Sequence, residues 1–134
     1  MTVGRHELDV RTRTRTEVVD ITEAVRRIVR ESGVDQGLVH CFVPHTTAAI
    51  TLNECNDPRV VADLIAHLDR LVPWTGSWTH EGNAAAHVKA SLLGHSVVLA
   101  VDGGDLVLGP WQGLFFCEFH GPRARAVHLT LQPR

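Results

Sequence analysis

The chain has 134 residues, 44% of them hydrophobic and 21% charged, and its formal net charge is −2 at pH 7. This length favours one globular domain that needs neither a disulfide nor a structural metal to fold. The small net charge argues against general nucleic-acid binding, and no apolar run is long enough to span a membrane. Three scattered cysteines and the lack of an apolar leader favour free thiols in a cytoplasmic protein. We therefore expect a single domain, residues 1–134, that binds neither nucleic acid nor membrane.

The N-terminal part of the chain predicts a strand followed by a helix. From Arg11 to Thr16, arginine alternates with threonine, which favours a strand over residues 7–16 with one solvated face. The alternative is a basic stripe for an anionic partner. The helix follows because Asp20 can cap it, apolar residues recur at the helical period, and Gly33 can end it.

Two more strands and a second helix are predicted next. Apolar residues 38–43 and 48–52 indicate the strands, and Pro44 between them interrupts the ladder, so His45 should lie at a bend. The Asp57–Pro58 pair predicts the start of the second helix, with Asp as cap and Pro at the first helical position.

The C-terminal part predicts one helix and a β-rich end. The helix begins near Asn83 and ends before Gly94, and a bend at Gly82 would let His80 fold back toward His87. Four strands follow, at residues 97–101, 105–108, 111–120 and 124–131. This order of elements predicts the α+β class, with helices on one face of a mostly antiparallel sheet.

Three histidines are the strongest candidates for chemistry. His45 lies in the motif PHTT, and His80 and His87 begin and end the motif HEGNAAAH. Neutral imidazole is the commonest protein metal ligand, and three histidines with one open position form a catalytic zinc site. The chain has 9 histidines, so each of them could instead be a bystander. Thr46 offers a hydroxyl to a phosphate or a water, or to the backbone of its own turn.

Two acidic residues need an explanation. No local rule accounts for Glu54, which we interpret as the partner of a ligand histidine or as a general base. Glu118 lies in an apolar strand and needs a partner, because an unpaired buried carboxylate is costly. Arg123 and Arg125 follow the next turn, where they can form a structural ion pair with Glu118 or a clamp for an anion.

Four segments, in this order, resemble the YjbQ family of small proteins: PHTTAAITLNECNDP, HEGNAAAHVKASLLG, LGPWQGLFFCEF and GPRARAV. The resemblance covers roughly residues 6–131. It implies an α+β fold with a large mixed sheet, a homotrimer, and a histidine site for a divalent metal, often zinc. His45, His80 and His87 fall on the family's histidine positions. The other polar motif positions are Asn53, Glu54, Asn83, Gln112, Glu118, Arg123 and Arg125.

Members of this family are commonly labelled secondary thiamine-phosphate synthases, for a weak activity that joins a pyrimidine pyrophosphate to a thiazole phosphate. The resemblance therefore implies a metal-binding enzyme with a small phosphorylated substrate. Two alternatives stay open: a zinc-dependent hydrolase of small phosphorylated or ester substrates, and a non-enzymatic trimer that binds a metal or ligand. We predict catalytic roles for Glu54, Glu118 and Arg123, and substrate or cofactor contacts for Thr46, Asn53, Asn83, Gln112 and Arg125.

The sequence departs from the family pattern at two positions that are usually acidic. They are His120, just before the GPR turn, and Ala85 in the third helix. His120 would be a fourth ligand if it faced the site, which would close the open position of the metal. We expect it instead to be a surface residue.

Overall fold

The structure is a computed structural model that describes residues 4–80 and 82–134. In this part of the chain, eight strands and three helices follow one another. They are β1 (Gly4–Arg11), β2 (Glu17–Asp20), α1 (Thr22–Ser32), β3 (Gly37–Phe42), β4 (Ala48–Glu54), α2 (Pro58–Leu71), α3 (Ala84–Leu93), β5 (Ser96–Asp102), β6 (Asp105–Leu106), β7 (Gln112–Glu118) and β8 (Ala124–Pro133).

The strands form two sheets. One has five strands in the order β1-β8-β3-β5-β6, and the other has three in the order β2-β7-β4. All the strand pairs within the described residues are antiparallel. The predicted α+β single-domain fold is confirmed, and its β part is divided between two antiparallel sheets.

The three-stranded sheet carries apolar residues on both faces, because it lies between two cores. Along β7, Leu114 and Phe116 enter the core shared with the five-stranded sheet and α1. Phe115, Cys117 and the following Phe119 enter a second core with residues of α2 and α3. Two helices therefore cover the outer face of the small sheet, whereas α1 contributes Val25 and Val29 to the core between the sheets.

The predicted ends of the helices are largely confirmed. The Asp57 carboxylate accepts the Arg59 N–H at 3.0 Å and Pro58 is the first residue of α2. Gly33 ends α1 with a positive φ of 78°, which favours glycine. The N-cap of α1 is Ile21 and not the predicted Asp20; the Asp20 carboxylate, one residue earlier, accepts the Thr22 N–H at 3.0 Å.

The first strand is shorter than predicted. It ends at Arg11, and residues 12–16 form a bent connection. The reason is local hydrogen bonding: the Glu17 carboxylate accepts the N–H of Arg13 at 2.7 Å and that of Thr14 at 3.3 Å. The strand thus ends within the alternating Arg/Thr segment, and the Thr12 side chain is buried.

The cysteines are all free thiols, as predicted; they are Cys41, Cys55 and Cys117. Burial raises the pKa of the Cys41 and Cys117 thiols to about 12, so neither supplies a thiolate nucleophile near neutral pH.

Within residues 4–80 and 82–134, none of the helices has the length and apolar character needed to cross a bilayer.

Candidate functional site

Three connections that cross from one sheet to the other meet at one end of the protein. They are residues 12–16 between β1 and β2, residues 43–47 between β3 and β4, and residues 119–123 between β7 and β8. The Thr12 N–H donates to the Arg123 carbonyl at 3.0 Å, and a backbone hydrogen bond of 3.1 Å joins the second and third connections. Segments far apart in sequence are therefore held together here.

A polar cleft opens at this meeting point, and the first turn of α3 forms one of its walls. Its volume is about 350 Å³, within the range of small-molecule sites. We call it the His/Arg cleft, and its lining residues are Pro44, His45, Thr46, Thr47, Asn83, His87, His120, Arg123 and Arg125. The two arginines give it a positive character, and no carboxylate is found among these described lining residues.

Glu118 lies beneath the cleft and is 0% exposed. Its Oε1 accepts the Thr12 hydroxyl at 2.7 Å and Arg125 Nε at 2.8 Å. Its Oε2 accepts the His120 N–H at 3.0 Å and Arg125 Nη2. Burial alone would raise the pKa of this carboxyl, but hydrogen bonds from Arg125, Thr12 and His120 outweigh burial and hold the pKa below its ordinary value.

These four hydrogen bonds determine what Glu118 can do. An ionised carboxylate has about four lone-pair sites, and all of them are used. In this arrangement Glu118 has no lone pair with which to take a proton from a substrate, so its geometry is that of a residue that positions Arg125. The structural Arg–Glu pair predicted across the turn is confirmed, and it also joins the two sheets.

Arg125 is the buried arginine of the cleft, with a side chain only 5% exposed. Its Nε and Nη2 bond Glu118, and Nη2 also donates to the Thr47 hydroxyl at 2.8 Å. Nη1 has no partner among the described residues and is not fully enclosed. The guanidinium is thus fixed on one edge and offers N–H donors to the cleft on the other.

His45 lies at the bend after Pro44, as predicted. Its Nε2 accepts the N–H of Ala126 at 3.0 Å. Burial and the nearby Arg125 charge lower the pKa of His45, which favours the neutral ring. The lone pair of Nε2 is therefore used by the backbone of β8.

His120 also faces the cleft, so the expectation of a surface residue was wrong. Its Nδ1 receives Arg123 Nη2 and Asn83 Nδ2, each at 3.2 Å, and the Arg123 Nε donates to the His120 carbonyl at 2.9 Å. Burial and then the Arg123 charge lower the pKa of His120. The side chain of Asn83 is thereby drawn away from capping α3, where it makes no cap hydrogen bond.

His80 and His87 come together as the bend at Gly82 predicted. Gly82 has a φ of +92°, a conformation that suits glycine. The two imidazole rings then meet edge to face, with centroids 5.2 Å apart, and His80 Nε2 lies 2.8 Å from Asn83 Oδ1. His87 also borders a neighbouring cleft, lined by Ser77, Trp78, Thr79, His80, Ala84, His87 and Val88.

The three predicted metal ligands do not form a metal site in one chain. Within the described ranges, no three His, Cys, Asp or Glu side chains are arranged to hold one ion. His45 is the clearest obstacle, because its Nε2 is occupied by a backbone N–H. The donor set suits zinc chemically, but the geometry of this chain does not fit it, and the metal stays a prediction.

Three other predicted residues lie away from the cleft. In the β4–β7 register, Glu54 pairs with Gln112, whereas Ala48 pairs with Glu118. Six residues of strand separate the two ends, about 20 Å at the usual rise. At the far end, Asn53 Oδ1 accepts the N–H of Glu54 at 2.7 Å and the Gln112 side chain accepts the Gly109 N–H at 2.8 Å.

Glu54 has a local explanation that sequence reasoning missed. Its Oε2 accepts the N–H groups of Asn56 at 2.7 Å and Asp57 at 2.6 Å, so it stabilises the turn that leads into α2. Thr12 was also missed as a member of the site, because its partners Glu118 and Arg123 are distant in sequence. The PHTT motif pointed to the hydroxyl of Thr47, but not to its contact with Arg125.

An α+β fold of two antiparallel sheets, with a histidine- and arginine-lined cleft at their junction, defines the structural class. Residues 6–134 match the family model described as UPF0047 protein YjbQ-like. The chain therefore belongs to the YjbQ-like UPF0047 family.

Relatives and solved structures agree with this assignment. UPF0047 protein YugU of Bacillus subtilis is 42% identical, with 92% of this chain and 96% of that protein covered. UPF0047 protein MJ1081 of Methanocaldococcus jannaschii is 45% identical, with 91% and 89% covered. A crystal structure of a YbjQ-like protein of unknown function from Sulfolobus solfataricus matches with a TM-score of 0.94 at 35% identity, covering 99% of each chain.

Proposed function

We propose that the His/Arg cleft binds the phosphate of a small phosphorylated substrate, and that the protein is an enzyme acting on that substrate. The observation that carries this proposal is Arg125: its guanidinium is almost fully buried and fixed by Glu118 and Thr47, and its side chain lines the cleft. A buried arginine held in this way is preorganised for an anion, because its geometry is set before the ligand arrives.

Charge supports the same proposal. Glu118 compensates the charge of Arg125, so the cleft gains oriented donors without an isolated buried charge. Arg123 is exposed at the rim and adds a second guanidinium. Together the two arginines suit an anion whose negative charge is spread over several oxygens.

Thiamine-phosphate synthesis is the reaction that the family resemblance favours. In that reaction a pyrimidine pyrophosphate loses its pyrophosphate and is joined to a thiazole phosphate. Arg125 and Arg123 would stabilise the departing pyrophosphate, which is the charge that develops as the bond breaks. Glu118 would act by holding Arg125, and Glu54 has no part within one chain because it lies at the far end of β4.

Hydrolysis of a small phosphate ester is the second candidate, and the His80–His87 contact favours it. His87 lines the cleft and its ring meets that of His80 edge to face, so a neutral imidazole could take a proton from an attacking water there. Turnover of simple phosphate esters without any thiazole acceptor would select this reaction.

Binding and turnover should be measured together. Arg125→Lys should weaken the binding of inorganic phosphate by at least about tenfold and reduce turnover, because lysine cannot form the same planar pair. Arg59→Lys, on the exposed surface of α2, is the matched control and should change neither. Folded wild-type protein that binds no phosphate would refute the proposal.

Zinc is the cofactor that the histidine-rich composition favours, and His80 and His87 are the rings best placed to meet it. Elemental analysis of protein without a histidine tag tests this directly. About one zinc per chain, lost in His80→Ala and in His87→Ala, would support a metal enzyme. Metal-free wild-type protein that still turns over its substrate would refute it, and turnover absent from every variant would favour the non-enzymatic alternative.

We also propose that the protein assembles as a homotrimer. Exposed apolar residues lie on the outer face of the five-stranded sheet, with Leu38 45%, Phe42 40% and Val98 56% exposed, and such patches often mark interfaces. Light scattering should give three times the 14.7 kDa chain mass, and Val98→Asp should reduce it. A monomeric wild-type protein would refute this assembly.

A cytoplasmic location completes the proposal. It is supported by the three free cysteines, since thiols stay reduced in that compartment. Fractionation of cells that express the protein at its natural level would test it.

A further inference from the structure

We infer that the His/Arg cleft is a donor site for a tetrahedral dianion, in which His45 and His120 donate hydrogen bonds. This inference rests on the proposed anion-binding function and specifies its ligand further. It also gives His45 a role other than metal ligation.

The role of His45 follows from its bond to the backbone. An amide N–H can only donate, so His45 Nε2, 3.0 Å from the Ala126 nitrogen, must accept. A neutral imidazole has one lone pair and one N–H, so the proton is on Nδ1. Nδ1 has no partner among the described residues and is not fully enclosed. It can therefore donate to an anion in the cleft but cannot coordinate a cation.

The role of His120 follows from Arg123. A guanidinium can only donate, so His120 Nδ1, 3.2 Å from Arg123 Nη2, must accept. The proton of this neutral ring is then on Nε2. Asn83 must turn its amide nitrogen toward the same Nδ1, which leaves its oxygen for His80 at 2.8 Å.

The remaining polar groups reinforce this pattern. Arg125 Nη1 has unused donors, and the exposed hydroxyl of Thr46 can supply another. Asn83 has its oxygen and nitrogen committed to two histidines. Among the described lining residues there is no carboxylate, so the donors of His45, His120 and Arg125 meet no competing negative charge on the lining.

Calorimetric titration of the whole protein with inorganic sulfate and, separately, with inorganic phosphate tests the inference. We expect both anions to bind and each to displace the other, because sulfate offers only acceptors to these donors. Phosphate binding without measurable sulfate binding would overturn the inference while leaving the phosphate proposal intact. If neither anion binds, the proposed function fails as well.

Variants test the two donors separately. His45→Phe and His120→Phe should each weaken sulfate binding by about tenfold, the loss expected for one hydrogen bond to a charged group. His67→Phe, on the exposed surface of α2, is the control and should bind sulfate as the wild type does. Unchanged sulfate binding in folded His45→Phe and His120→Phe would overturn the inference.

The ring protons can also be observed directly. Long-range ¹H–¹⁵N correlation spectra should show unprotonated Nε2 in His45 and unprotonated Nδ1 in His120. The opposite tautomer in either ring would overturn that ring's assignment. If the protein binds zinc, His45→Asn should keep the wild-type zinc content, and loss of zinc in this variant would identify His45 as a ligand instead.

Discussion

The paired strands β4 and β7 carry a glutamate at each end of the three-stranded sheet. The two glutamates have different roles. Glu118, at the end of β7, is 0% exposed and accepts hydrogen bonds from residues as far as 106 positions away. Glu54, at the end of β4, is partly exposed and bonds backbone N–H groups only two and three positions ahead. One carboxylate joins the sheets beneath a cleft, and the other stabilises a turn.

This difference shows that residue type and strand position do not determine the role of a carboxylate. What matters is whether the groups it meets come from its own turn or from other segments. A carboxylate with local partners stabilises one turn, whereas one with distant partners stabilises the junction that those segments form. Substitutions at the two ends should therefore change the free energy of unfolding by different amounts.

The largest effect is expected for Glu118→Ala. This change leaves the Arg125 charge buried without its partner, which costs about 3–5 kcal/mol in the free energy of unfolding. Urea unfolding followed by circular dichroism would measure it. A loss no larger than that of Glu54→Ala would contradict the contrast between the two ends.

A smaller effect is expected for Thr12→Val, which keeps the shape of the side chain and removes its hydroxyl. Glu118 then loses one donor and the Arg123 N–H loses an acceptor at 3.0 Å, for a cost of about 1–3 kcal/mol. Thr51→Val, in β4, is the matched control, because the Thr51 hydroxyl has no partner among the described residues. Equal urea midpoints for the two variants would contradict the role of Thr12.

Glu54→Ala should cost less again. It removes acceptors for two backbone N–H groups at the entry to α2, an effect comparable to the loss of a helix cap, about 0.5–2 kcal/mol. Anion binding should not change, since the His/Arg cleft is about 20 Å away along the strand. Weaker sulfate binding in this variant would indicate that Glu54 contributes to an anion site, for example one completed by a second copy of the chain.

The smallest effect concerns pH and His120. Its folded-state pKa is lowered by burial and by Arg123, so the unfolded chain binds more protons once the pH falls below the unfolded value of about 6.5. Stability should fall with pH from that point until the folded pKa is reached, and it should fall less steeply in His120→Asn. Urea unfolding at several pH values would show the slope, and equal slopes in both proteins would contradict the assignment.

Local features of the fold were readable from the sequence. The alternating faces of β7, the Asp57 cap and the glycine stop after α1 each depend on neighbours within a few positions. The pairing of Glu118 with an arginine across the turn was also predictable, because burial demands a partner and only two arginines were near.

The contacts at the junction between the sheets could not be predicted from local sequence patterns. Thr47 meets Arg125 across 78 positions of sequence, and no local pattern specifies such a contact. His120 was expected at the surface, yet Arg123 and Asn83 hold its ring in the cleft. The roles of His80 and His87 as metal ligands stay predictions, because ligation depends on how distant segments, or copies of the chain, come together. For His45 the hydrogen bond from Ala126 argues against the predicted ligand role.

The bond between His45 and the Ala126 amide has a practical consequence for measurement. This N–H belongs to β8, and its proton lies against the ring that faces the cleft. Any ligand that polarises or turns the ring will shift the resonance of that single backbone proton. An ordinary amide spectrum of the protein thus contains a built-in indicator of cleft occupancy, so compound libraries can be screened for a substrate before its reaction is known.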